Sequence, residues 1–303
     1  LLQCRIPRNG DLVSQIFLVL DLPDIFSGYD PFVSKANSRY AAHHFQWIRN
    51  IGCHIIKRAT LRIGPTVINE VYGEWIAIWH ELFAPYNTDV FNEMVGNVPE
   101  LYDPASAPGN AGIYPNSTLR AELDEDPDLF TASEYLQNPF HKPPSIRRRR
   151  ITVPIPLYFS TNPGLALPLV SLQYHEVFCT LELRKLTELY TLIETSETSP
   201  NFGKRVRPSR EEHMIHNFIT SMTPEKSSIN LMQDGDVAGW NVDMHLDVNY
   251  IFLEKIEREK FAATSHEYLI EQVQRHEFLG VYGTKNLHLK LQRPVKTLVW
   301  MAV

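Results

Sequence analysis

The groups through which this 303-residue chain could do acid–base, metal or thiol chemistry are 12 histidines, 35 carboxylates and 3 cysteines. Their spacing argues against most of that chemistry. A metal site inside a β-barrel wants two histidines two apart on one strand, so that both rings point inward. No His-x-His occurs. His43 and His44 are adjacent and would face opposite sides of a strand. His213 and His216 would share a face if helical, but no third ligand stands near them, and surface or hydrogen-bonded histidines are the plainer reading. His175 and Glu176 suggest an acid–base pair, yet consecutive strand residues also point apart. No two carboxylates stand out as a glycosidase pair. The chain has no GxSxG elbow, no GxxxxGK[ST] and no GxGxxG, and Gly280-Val281-Tyr282-Gly283 reads as a turn. The expectation is a protein with no catalytic residue, no cofactor and no metal.

Three smaller features remain. Cys4, Cys53 and Cys179 are odd in number, widely spaced and without a CxxC, which reads as buried or half-buried thiols in a reducing compartment. Arg147-Arg148-Arg149-Arg150 would suit phosphate or an acidic partner. The simpler expectation is a solvated strand edge neutralised by the acidic run Glu122–Asp126 just before it. Asn116-Ser117-Thr118 is a glycosylation sequon, with Asn116 as acceptor.

The elements that must position these groups are strands. Pro (21) outnumbers Gly (14), aromatics make up 11%, and long helix-forming stretches are few, which favours a β-rich chain with many turns. The 44% hydrophobic and 21% charged fractions are those of an ordinary globular chain. A formal charge of −6 argues against sequence-independent nucleic-acid binding. No apolar run reaches the roughly 18 residues a helical membrane span needs. Leu1 is not Met, and Val295 to Val303 reads as a strand with no polar tail, so the expectation is an internal piece of a longer polypeptide.

Along the chain, Leu12 to Leu20 reads as a buried strand. Ala41 to Ile48 reads as a short helical turn. Cys53 to Val71 reads as two strands joined at Gly64-Pro65. Trp75, Ile78, Trp79 and Leu82 give Glu74 to Leu82 one apolar helical face. Ala84 to Ile146 is rich in Pro, Asn and acid and reads as a long surface excursion. Ile151 to Arg184 carries three strand patterns, Leu165 to Leu172 among them, and Lys185 to Thr195 has helical spacing. Ser196 to Arg210 reads as a linker, Trp240 to Leu253 alternates like a strand, Glu254 to Thr264 is helix-like, and Tyr268 to Val273 and Val295 to Val303 are strand-like.

One segment is more specific than any of these patterns. Ile155-Pro156-Leu157-Tyr158-Phe159, the turn Ser160-Thr161-Asn162-Pro163-Gly164, then Leu165-Ala166-Leu167-Pro168-Leu169 and Leu172-Gln173-Tyr174-His175-Glu176-Val177 follow in close succession. The segment closely resembles the major capsid proteins of nucleocytoplasmic large DNA viruses, the group of iridoviruses and phycodnaviruses. Further blocks resemble the same family in the same order. They are Arg8-Asn9-Gly10-Asp11-Leu12 with Leu22-Pro23, then Leu61-Arg62-Ile63-Gly64 and Tyr72-Gly73-Glu74-Trp75. Asn249 to Glu254, His266 to Val273 and Pro294-Val295-Lys296 with Trp300 follow. Gly64-Pro65 stands where that family often has Gly-Gly. The arm and strands that usually precede the Arg8–Leu12 block are missing, and so is the sequence that usually follows Trp300.

The resemblance implies an all-β fold of two tandem eight-stranded jelly-roll sandwiches with short helices and long loops. Residues 1–195 would be the first jelly roll, with its first strands missing and 84–146 inserted. Residues 196–210 would be a linker, and 211–303 the N-terminal part of an incomplete second jelly roll. It implies a non-enzymatic homotrimer, a capsomer tiling the icosahedral shell of a large double-stranded DNA virus. The capsomer would meet its neighbours and minor capsid proteins, made in host cytoplasm and located in the virion. A membrane beneath the shell, without insertion, and no direct nucleic-acid contact go with that reading. Asn162, Pro163, Gly164, Pro168, Gln173, Tyr174, His175 and Glu176 would be structural: a turn, a strand edge at Pro168, and side-chain anchors at Tyr174 and His175. The alternative is a jelly-roll carbohydrate-binding or carbohydrate-active protein, which would need a cleft with paired acids or an aromatic platform.

Overall fold

The computed structural model describes residues 1–27, 43–83, 88–115, 144–194, 199–210, 213–219 and 242–301. Its strands are β1 (Leu2–Arg5), β2 (Leu12–Leu22), β3 (His43–Trp47), β4 (Ile56–Ile63), β5 (Thr66–Tyr72), β6 (Arg149–Pro154), β7 (Leu167–Pro168), β8 (Val177–Leu183), β9 (Tyr190–Glu194), β10 (Arg205–Val206) and β11 (Met244–Ile251). They form three antiparallel sheets, ordered β1-β8-β4-β5, β10-β9-β3 and β11-β2-β6, with β7 added beside β2. Apolar residues of all three meet in a single core. The expected all-β class holds.

β2 is paired on both sides, so it can be apolar nearly throughout: Val13, Ile16, Leu18, Leu20 and Leu22 are fully buried. β4 and β5 form the expected hairpin around Gly64-Pro65. Gly64 has φ of 56°, and a positive φ at the first loop position followed by proline's locked negative φ fits the primed turn that a twisted hairpin prefers. A short helix, α1 (Ile51–Ile55), leads into β4; the helix after the hairpin, α2 (Gly73–Phe83), starts where Gly73 lies against backbone, and a Cβ there would sit 2.1 Å from the Ile56 carbonyl oxygen.

Several local expectations fail, each because a partner elsewhere outweighs local pattern. Residues 43–47 are strand, not helical turn. His43, Phe45 and Trp47 are buried, and the strand pairs along β9. Tyr190–Glu194 is the other half of that pair, although Leu186, Leu189, Tyr190 and Ile193 also fit a helix; only a 3-10 turn at Leu186–Glu188 is helical. Leu165–Leu172 is not a strand but two 3-10 turns around β7, since Pro163 and Pro168 donate no ladder hydrogen bond. The region expected to be a surface excursion sends α3 (Thr88–Val95) and α4 (Pro99–Tyr102) into the core through Phe91, Val95, Val98 and Leu101. Residues 116–143 of that region, Asn116 and the acidic run among them, lie outside the described residues. Within the expected linker, β10 extends a sheet by pairing with β9.

β11 forms as its alternation predicts, and it pairs with β2 over its whole length. A helix follows as expected over Lys255–Ala263. Beyond it, residues 264–301 form neither helix nor strand, so the strand expectations at 268–273 and 295–301 fail. A strand needs a neighbour for its backbone donors and acceptors. This stretch runs beside edge strand β5 but meets it through side chains: Asn69 Nδ2 donates to the Glu271 carbonyl at 3.2 Å, and Gln272 Nε2 to that of Ile68 at 2.7 Å.

Candidate functional site

The segment that resembles a known family folds as a chain of tight turns between β6 and β8. It opens with the four-residue helical turn Tyr158–Thr161, with Phe159 fully buried. Asn162 Oδ1 then accepts from Gly164 N–H at 2.9 Å, a side-chain cap that closes the next turn. Pro168 lies opposite Leu12 in β7 and is buried. The chain leaves the core at Gln173, and Gln173, Tyr174, His175 and Glu176 are all exposed.

The expected anchoring by Tyr174 and His175 side chains is not what the structure contains. Tyr174 is 93% exposed. The turn is held instead through its backbone: the Arg8 guanidinium donates to the carbonyls of Leu172 and His175, the latter at 3.1 Å. Gly64 N–H donates to the Glu176 carbonyl at 2.8 Å, and Arg5 pairs with the Glu176 carboxylate at 3.2 Å. Arg8 belongs to the early block Arg8–Leu12, so two blocks far apart in sequence meet here.

Asp11, in the same early block, ties the C-terminal stretch down. Its Oδ2 accepts from Leu253 N–H at 2.7 Å, and its Oδ1 takes Arg258 Nε at 2.8 Å. The Leu253 N–H first, and then Arg258, hold its carboxyl below the usual carboxylate range. Both residues fall in blocks that resemble the family, Asp11 in Arg8–Leu12 and Arg258 in Glu257-Arg258, but nothing in the sequence pairs them; the pairing of β11 with β2 brings them together.

The arginine run lies at the start of edge strand β6, an exposed strand edge as expected; the acidic run Glu122–Asp126 lies outside the described residues, and among those described three other acids meet the arginines. Arg150 makes a two-pronged pair with Asp21 across the strand, at 2.8 and 2.9 Å. Arg149 pairs with Glu93 of α3, and Arg148 N–H donates to Asp24 Oδ1 at 2.7 Å. Each of these contacts belongs to the chain's own packing.

Histidines regroup as well. His213 precedes the short helix His216–Ile219, and its neighbours are not His216 but His43 and Glu194. His44, on the opposite face of β3, stacks on Tyr114 at 4.1 Å. All three cysteines are free thiols, with Cys53 and Cys179 buried and Cys4 partly so; burial pushes the Cys53 and Cys179 thiols up to about 12. A cleft of about 300 Å³ lies between Tyr158, Leu167, Pro168 and residues 264–268. It is lined by apolar, hydroxyl and imidazole groups, with no carboxylate pair of the kind a glycosidase needs.

The matched family decides what kind of protein has this architecture. Residues 2–254 match the family described as major capsid protein N-terminus. The chain belongs to that family. Capsid protein 1 of Acanthamoeba polyphaga mimivirus is 29% identical over 98% of this chain and 39% of its own length. The major capsid protein of Phaeocystis pouchetii virus is 27% identical over 98% of this chain and 47% of its own length. The chain thus spans about two-fifths to a half of these relatives. Among solved structures, VP54 of PBCV-1, fitted into a reconstruction of the virophage Sputnik, aligns over 89% of this chain and 42% of its own. It does so at 21% identity and a TM-score of 0.44. Membership in the major capsid protein family points to a structural, non-enzymatic role in a viral capsid.

Proposed function

We propose that this chain forms the N-terminal part of a capsomer subunit that trimerises, and that its trimers tile an icosahedral virion shell. The family match over residues 2–254 carries the reading. On it, residues 1–195 are a first jelly roll, 196–210 a connection, and residues from 211 onward open a second one. Apolar side chains such as Leu269, Leu279, Tyr282 and Trp300, each at least 81% exposed, suit a stretch covered by further sheet strands and by neighbouring subunits. The exposed turn Gln173–Glu176, held rigid from behind by Arg8, is suited to contact an adjacent subunit or a minor capsid protein. The subunit would be made in host cytoplasm, have no membrane-inserted segment and touch no nucleic acid directly. The carbohydrate reading gains nothing from the acid-free cleft.

Native mass spectrometry of the protein released gently from its source tests this. A complex of three equal subunits is expected. A stable monomer at micromolar concentration would overturn the proposal and call for glycan-binding assays.

A further inference from the structure

His43, Glu194 and His213 come from three separate stretches of chain, and all are buried, at 4%, 3% and 3% exposure. His43 opens β3 and Glu194 closes β9, and the two are cross-strand partners, so their side chains emerge on one face. His43 Nδ1 lies 3.3 Å from Glu194 Oε1. The His213 ring meets the His43 ring edge to face at 4.9 Å between centroids. One donor atom from each residue lies within 4.8 Å of the other two.

We infer that these three residues form a buried metal site for a zinc-class divalent cation. Two imidazoles and a carboxylate are a donor set that zinc takes, with a water completing a tetrahedron. Zinc bonds of about 2.0–2.1 Å put ligand atoms roughly 3.4 Å apart. The His43–Glu194 separation already matches that edge, and the His213 donor atom, within 4.8 Å of the other two, must move closer to complete it. Its backbone is fixed: Tyr190 Oη donates to the His213 carbonyl at 2.9 Å. The site would be a staple: it ties the ends of β3 and β9 to the turn before the helix His216–Ile219, on the path toward β11.

The test uses the full chain, dialysed against EDTA and then offered zinc, with bound metal counted by elemental analysis and stability followed by thermal melting. About one zinc per chain is expected, with a melting temperature higher by on the order of 5 °C that EDTA reverses. Glu194→Gln and His213→Gln should each lose the zinc and the shift, while His44→Gln, altered on the opposite face of β3, should keep both. Cobalt added to the unaltered protein should give the visible absorption of a tetrahedral site, a readout that needs no variant to fold. Fewer than about one zinc per ten chains together with no cobalt absorption would overturn the inference. So would full zinc binding by folded Glu194→Gln and His213→Gln. The trimer measurement tests the capsid reading separately, since a trimer without zinc is as readable as zinc without a trimer.

Discussion

Residues 12–20 and residues 268–273 both read as strands, and only the first are strands. β2 lies between β11 on one side and β6 and β7 on the other, so its backbone groups are paired and its side chains fill the core. Residues 264–301 meet the outer edge of β5 through side-chain tethers at Glu271 and Gln272, and Leu269 and Trp300 stand 92% and 93% exposed. The same β-forming composition gives a core in one place and an uncovered ribbon in the other. Strand formation is a property of pairs, so a sequence that favours it still waits for a neighbour.

The contrast can be broken most forcefully from the core side. Gly73→Ala would drive a Cβ into the carbonyl oxygens of Ile56 and Cys53 and should cost about 3 kcal/mol or more. Loss of soluble, cooperatively melting protein is the readout. Leu18→Ala, at a fully buried site in β2, should cost roughly 2–5 kcal/mol in denaturant titration, and Leu269→Ala within about 0.5 kcal/mol. Equal costs would mean that the ribbon is covered by its own chain. In a trimer, Leu269→Ala should instead weaken assembly.

The tie between the two regions should respond to acid. The folded-state carboxyl of Asp11 titrates below its ordinary value, so its contribution is present at neutral pH. That contribution is lost as pH falls through the lowered folded value. Proteolysis after Leu253 should therefore speed up in the parent protein as pH falls below about 4, the ordinary value of an aspartate carboxyl, toward the lowered folded value. Asp11→Asn should be cut faster already at pH 7 and show little further change. The smallest effect expected is chemical. With buried thiols pushed up to about 12 at Cys53 and Cys179, iodoacetamide at pH 8 should label Cys4 first and leave the other two until the core unfolds. Simultaneous labelling of all three, followed by mass spectrometry, would mean that the sheet holding β8 opens readily.

How much could be read beforehand differs by element. β2, the β4–β5 hairpin, α2, β11 and the helix at Lys255–Ala263 each carry a period strong enough to name the element unaided. β3 and β9 do not. Phe45 and Ile48 satisfy a helix as well as a strand, and so do Leu189, Tyr190 and Ile193. Because both stretches also fit a helix, the meeting of His43 and Glu194 across a ladder is out of reach of the sequence, and sequence distance alone pairs His213 with His216. One hint was available: alternate residues from His43 to Trp47 are His, Phe and Trp, a period of two.

What the amino-acid sequence determined by itself was the kind of protein. Composition favoured a β-rich chain, and the spacing of its polar residues fitted none of the common catalytic motifs. Several blocks in one order resembled the capsid family, because turn and core residues at fixed offsets are a local code. Tertiary structure alone decided which groups meet: Asp11 with Arg258, Arg8 with the turn before β8, Arg150 with Asp21, and His43 with Glu194 and His213. Such contacts depend on sheet order and register, and in an antiparallel sheet neither is written within any one strand.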